Sequence, residues 1–159
     1  MRKKPMLAYP VSDKPINYED KIFMQPKLDG VRCVIQYDNS EVKAYSRTGK
    51  EWKNIDHILF NLKPWFQLNP DIILDGELYN HSLKDNFEKI ISLVRKTKPT
   101  DEDRLEAAQY TEFHCYDIID ETKTFFERSK FITQVVPRNH TIKHVSTMLV
   151  PTESQAKVN

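Results

Sequence analysis

The sequence lacks a long apolar run, is poor in cysteine and has almost no excess of either charge, and each shortage removes a class of protein. No stretch approaches the roughly 20 apolar residues of a membrane-spanning helix, so no membrane partner is expected. The basic start, MRKKPMLAYP, is not followed by the apolar segment of a signal peptide, and a cytoplasmic location is expected. The two cysteines, Cys33 and Cys115, sit inside strand-like runs, which suits small buried hydrophobes in a reducing compartment better than a disulfide framework. With 24 basic against 23 acidic residues the net charge is +1, so no global field favours nucleic acid. The histidines, His57, His81, His114, His140 and His144, show no ligand spacing with one another or with the cysteines, so no zinc site is expected. There is no internal repeat and no low-complexity segment.

What is present is one domain's worth of chain, 159 residues with 39% hydrophobic and 30% charged residues. That is a globular balance, long enough to bury a core. Residues 1–19, with Pro5, Pro10 and Pro15, read as an extended arm ahead of a domain spanning 20–159. KIFMQPK, VRCVIQYD and EVKAYSR then read as three strands of an antiparallel meander, turning at LDG and at Asp38-Asn39-Ser40. Ile55, Ile58, Leu59 and Leu62 recur at helical spacing until Pro64, where the helix is expected to stop. DIILDGELY reads as a strand buried on both faces. Ser82 and Asp85 have the spacing of a capping box ahead of a helix with Phe87, Ile90, Ile91 and Val94 on one face. A charged loop (KTKPTDEDR), a short helix and the strand TEFHCYDII follow. The remainder reads as a helix near 125–135, a strand near 144–150 and a helix starting at Thr152. Helices and antiparallel strands intermixed without βαβ regularity predict an α+β fold.

Three segments place charges at the ends of apolar strands: Lys27 to Arg32, Asp75 with Glu77, and Asp117. Such charges are expensive to bury unless they are paired or bind a ligand. Three of them in one small domain point to a shared cleft.

These segments carry a resemblance. KLDGVR (27–32) is similar to the K-x-D-G-x-R motif of the ATP-dependent DNA ligases, RNA ligases and mRNA capping enzymes. SRTGK with Arg47 resembles the following S-R-x-G element, LDGELY the D-G-E strand, FHCYDII the aromatic-plus-aspartate strand, and FFERSKFI the E-R helix of DNA ligases. Order and spacing agree from about residue 20 onward, and LDGELYNHS with FEKIISLVRK looks most like a DNA ligase of phage or bacterial type. The resemblance implies an ATP-grasp-like nucleotidyltransferase fold, with antiparallel sheets flanked by helices. It also implies sealing of DNA nicks in replication, repair and recombination, with ATP and Mg2+ as cofactors, in the cytoplasm of a bacterium or of a virus's host.

Residue by residue, the resemblance makes Lys27 the nucleophile that takes AMP from ATP, which a lysine does only as the free amine. Asp29 and Gly30 shape its turn. Arg32, always charged, would hold ribose oxygen and phosphate. Glu77, which only accepts, would take the ribose hydroxyls or a magnesium ion. Tyr116 would stack on adenine, and Gln25, where many relatives have glutamate, would accept from the adenine amino group. Pro26 and Leu28 complete the nucleotide contacts. Arg32, Arg47 and Lys50, within the basic run Lys43 to Lys53, would meet the backbone of nicked duplex DNA.

The family's later E-G strand, its lysine-bearing strand and its OB-fold domain find no counterpart in the 159 residues. The resemblance therefore implies weak or no adenylation by this stretch alone, and unpaired sheet edges that favour self-association. RNA ligation, guanylyl transfer in capping, and a non-catalytic nucleic-acid-binding module stay open as alternatives.

Overall fold

A computed structural model describes residues 22–25, 28, 30–145 and 148–150. Its centre is a five-stranded sheet in the order β3-β2-β4-β5-β6, built from β2 (Val31–Asp38), β3 (Glu41–Tyr45), β4 (Leu74–Tyr79), β5 (Glu112–Ile118) and β6 (Ile142–His144). All neighbours are antiparallel except β5 and β6, which run parallel. The β2–β3 hairpin closes through Asn39 and Ser40, both at positive φ (50° and 66°), the backbone that a two-residue hairpin twisting with its strands requires.

The meander expected from the sequence is corrected at its first strand. β1 (Ile22–Met24) is three residues long and pairs with β7 (Met148–Val150) in a separate two-stranded sheet, while β2 takes β3 and β4 as neighbours. Likewise the single strand expected near 144–150 is two short strands, β6 and β7, in different sheets. The helix expected at Thr152 lies outside the described residues.

One face of the five-stranded sheet is apolar. Cys33, Ile35, Leu74, Leu78, Phe113, Cys115 and Ile142 are fully buried there, and they join one cluster with residues of α1 (Asp56–Leu68), α2 (Phe87–Val94) and α4 (Phe125–Val135). Ile58, Leu62 and Phe66 of α1 recur at helical spacing, so one stripe of that helix is sealed against the sheet. Contrary to expectation α1 continues through Pro64. A proline removes the hydrogen bond to the carbonyl four residues back, here that of Phe60, whose side chain is 80% exposed. The orphaned carbonyl therefore lies on the solvent side, while Phe66 stays anchored and the Trp65 indole donates to the Val135 carbonyl at 2.9 Å.

The expected Ser82–Asp85 capping box does not form. Asn80 caps a single 3-10 turn (His81–Leu83) by accepting from the Ser82 amide at 3.0 Å, and α2 starts after Asn86 without a side-chain cap. Capping boxes occur instead at Thr100/Asp103, opening α3 (Asp101–Tyr110) inside the supposed charged loop, and at Thr124/Glu127, opening α4.

Candidate active site

The opposite face of the sheet is where the strand-end charges meet. Arg32, Glu77, His114 and Lys143 are successive cross-strand partners on β2, β4, β5 and β6, forming a row across the sheet. The neighbouring row runs Val34, Asp75, Asp117. Strand alternation explains the division: Cys33, Ile35, Gly76 and Leu78 point to the core, and the residues between them to the other side.

At the centre, Arg32 Nε donates to Asp75 Oδ1 at 2.8 Å and Nη2 to Oδ2 at 2.7 Å, a two-pronged pair whose carboxylate residue is 1% exposed. Burial disfavours the charge on Arg32, but the fork to Asp75 outweighs it and the guanidinium's pKa rises. At Asp75 burial dominates and pushes the carboxyl upward, against the Arg32 bonds and helped by the Asp117 charge. Both groups shift up because burial weighs more on the carboxylate. With two bonds below 3 Å the contact is an ion pair.

Glu77 takes a different partner. Its Oε2 accepts from the Gly30 amide at 3.0 Å, tying the turn after position 27 to β4. A side chain at position 30 would lie 2.5 Å from the Leu78 carbonyl and 2.9 Å from Glu77 Oε2, so only glycine allows this approach. Gly76, between Glu77 and Asp75, is equally constrained: an added Cβ would collide with the His114 carbonyl and meet the Phe113 ring at 2.8 Å.

The β4–β5 register shifts between Asp75 and Gly76, leaving Tyr116 as the extra residue of a bulge. Bulges re-aim side chains, and the Tyr116 ring lies 5.3 Å from the Arg32 guanidinium carbon. Burial, then the Asp75 charge, pushes the phenol well above its ordinary pKa, so it stays neutral. Gln25 Nε2 donates to the Tyr116 carbonyl at 2.9 Å. Described residues on either side of position 27 are thus tied to β5 and β4. Lys27 itself, with Pro26 and Asp29, lies outside the described residues; Leu28 is half-buried.

Arg47 and Lys50 stand apart from this cluster. They are exposed on a turn closed by Ser46 N to Lys50 O (2.7 Å) and Gly49 N to Ser46 O (3.0 Å), with Gly49 at φ 100°. From the returning chain the Trp52 indole donates to the Arg32 carbonyl at 3.2 Å. Trp52 also lines a groove of about 380 Å3 with Lys53, Asp56, Lys98 and Arg104. There Arg104 is paired with Asp56 at 3.2 Å, so the groove is largely charge-compensated and the chemistry lies on the sheet face.

Sequence reasoning placed Asp75 and Asp117 among the strand-end charges without a role, and it met Arg128 only as part of the E-R helix, with no role assigned. Asp117, 9% exposed, accepts from Arg128 Nε at 2.7 Å. The available signal was the cost of burying an unpaired aspartate, which demands a cation for each. Of the carboxylates on this face Asp75 and Asp117 are paired with arginines, so Glu77 is the one that would hold a magnesium ion, and the described residues form no group of three or more His, Cys, Asp or Glu. That fits a hard cation that keeps waters and takes its remaining ligands from phosphate.

A sheet with one charged face, on which Arg32, Glu77 and Tyr116 gather around the turn after position 27, matches known proteins. A family model described as the ATP dependent DNA ligase domain covers residues 5–158, and the chain belongs to that family. No curated protein matches the sequence. Among solved structures, Pmar-Lig is 21% identical with a TM-score of 0.70, over 96% of this chain and 37% of that one. A Lig E DNA ligase is 21% identical with a TM-score of 0.66 (99% and 56%), and the bacteriophage T7 ATP-dependent DNA ligase, in complex with ATP, 16% with 0.59 (87% and 52%). They share the fold, the α+β arrangement expected from the sequence. The chain spans between about a third and just over half of their lengths.

Proposed function

We propose that this chain is the adenylation part of an ATP-dependent DNA ligase. The observation that carries the reading is the convergence of Arg32, Glu77, Tyr116 and Gln25 on one sheet face around the turn after position 27. In this reading the neutral Lys27 amine attacks the α-phosphorus of ATP. A nitrogen–phosphorus bond forms, the bond to the β-phosphate oxygen breaks, pyrophosphate leaves with the electron pair, and the lysine gives up a proton. Arg32, held by Asp75, binds ribose or phosphate oxygen with the rest of its guanidinium. Glu77 accepts from ribose hydroxyls, Tyr116 stacks on adenine, and Gln25, with Pro26 and Leu28, borders the base. Glu77 would also hold Mg2+, directly or through water, and the ion would neutralise charge on the departing phosphates. AMP then passes to the 5′-phosphate of a nick, whose duplex backbone Arg32, Arg47 and Lys50 meet, and the 3′-hydroxyl displaces it.

Intact mass after prolonged incubation with ATP and Mg2+ tests this. One added adenylyl group, absent in Lys27→Ala, is expected to build up slowly; absence of both the adduct and calorimetric ATP binding overturns the reading. Competition between nicked DNA and nicked RNA duplex separates DNA ligation from RNA ligation, and GTP against ATP separates it from capping. Salt-sensitive DNA binding without any adduct identifies a non-catalytic module. Self-association through the β3 and β6 edges belongs to the same reading, and a clean monomer in light scattering at high concentration removes it.

A further inference from the structure

The charged face holds a second arginine whose partner is not the nucleotide site's own carboxylate. Asp75 and Asp117 are direct cross-strand partners, and both are buried. Like charges placed opposite each other repel, and each carboxylate competes for a cation within reach. Arg128, in the first turns of α4, donates Nε to Asp117 Oδ1 at 2.7 Å and Nη1 to the Lys123 carbonyl at 2.9 Å, with the Phe125 ring 5.4 Å from its guanidinium carbon. The same Asp117 oxygen accepts from the Ile118 amide at 2.9 Å. Arg32 is near enough for its charge to act on Asp117 as well as on Asp75.

We propose that Arg128 is a positioning residue: by occupying Asp117 it leaves Arg32 to the other carboxylate, Asp75, and so fixes the guanidinium that serves the nucleotide site. The inference rests on the reading that Arg32 contacts the nucleotide. This pair is not the only anchor of α4: the helix is also held by Ile132 in the core and by the Trp65 bond to the Val135 carbonyl. Without Arg128, two adjacent carboxylates would share Arg32, with Tyr116, the bulged residue between their strands, beside it. A guanidinium divided between two partners loses the fixed direction that makes arginine selective.

The test compares Arg128→Met with Asp117→Asn/Arg128→Met, in which the introduced amide keeps the acceptor for the Ile118 amide but loses the charge. AMP affinity by calorimetry and the Arg32 Nε–H resonance in 1H–15N spectra are read for each. In Arg128→Met, AMP binding is expected to weaken about tenfold, the scale of one charge-assisted contact misplaced, with a shifted or broadened Nε–H signal. The double variant is expected to restore both, because position 117 no longer competes for Arg32. If α4 anchoring were the whole role, the double variant would stay as impaired as the single one, and that result overturns the proposal, as does an unmoved Nε–H signal in Arg128→Met. Should Arg128→Met fail to fold, Arg128→Gln, which keeps a polar side chain beside Asp117 and the Lys123 carbonyl but removes the charge, replaces it in the same comparison. A wild-type chain that binds no AMP removes the nucleotide reading, while the Nε–H shift and its restoration still decide this one.

Discussion

The two faces of the five-stranded sheet solve opposite problems. On the core side Cys33, Ile35, Leu74, Leu78 and Phe113 are excluded from water by helices, and shape complementarity alone suffices. On the other side Asp75 and Asp117 are nearly as enclosed but charged, beside the half-buried Arg32, and they persist because each carboxylate has its own arginine. The first face is stabilised by burial as such. The second is held against the cost of burial, and that expense is the mark of a face kept for something other than stability.

Five substitutions sharpen or break the contrast. Phe113→Ala empties a fully buried ring site against Gly76 and should cost about 3–5 kcal/mol of unfolding free energy in urea titrations, the range for aromatic truncation in cores; a loss below about 1 kcal/mol would show that the core face is loosely packed. Asp75→Leu removes the two-pronged carboxylate partner of Arg32 on the half-buried polar face and should cost about 3 kcal/mol. Adding Arg32→Met should recover most of that stability while nucleotide binding stays lost. If binding returned with stability, the division of labour between the faces would be wrong. Tyr116→Ala should weaken AMP binding by about 1–3 kcal/mol, the worth of base stacking, with Tyr116→Phe close to wild type; equal losses in both would assign the hydroxyl, not the ring, to the ligand.

The smallest effect is in pH. Burial first, against the Thr111 carbonyl bond, lowers the pKa of His57, and burial against the Glu112 bond lowers that of His114. Between the folded value and the ordinary histidine value the unfolded chain binds more protons. Stability therefore rises with pH across that window and is lost as pH falls below about 6.5. The urea midpoint should drop on acidification from about pH 7.5 to about 5.5, with a shallower slope in His57→Gln; a midpoint that rose would reverse the sign.

The β2–β3 hairpin, β5 and the helix near 125–135 were legible in the sequence because local chemistry decides them: alternation and a short turn for the strands and, as the structure shows, a Thr124/Glu127 capping box for α4. β1 was misassigned because partner choice is long-range, and KIFMQPK carries no signal that Val150 rather than Val31 is its neighbour. Pro64 misled because its cost depends on which side of the helix its orphaned carbonyl faces. Ser82 lost to Asn80, a capping residue two positions earlier. In the site, Arg32, Glu77, Tyr116 and Gln25 lie together around the turn after position 27, whereas Arg47 and Lys50 stand off on their turn. The division of two aspartates between two arginines depends on the sheet register, which no motif spells out.

The indole of Trp52, sealed to 7% exposure and bonded to the Arg32 carbonyl, gives the molecule a built-in optical gauge. Trp65, the other of the two tryptophans, sits across on the α1–α4 seam. With Trp65→Phe the emission of a single chromophore would follow whatever settles beside Arg32, without any label.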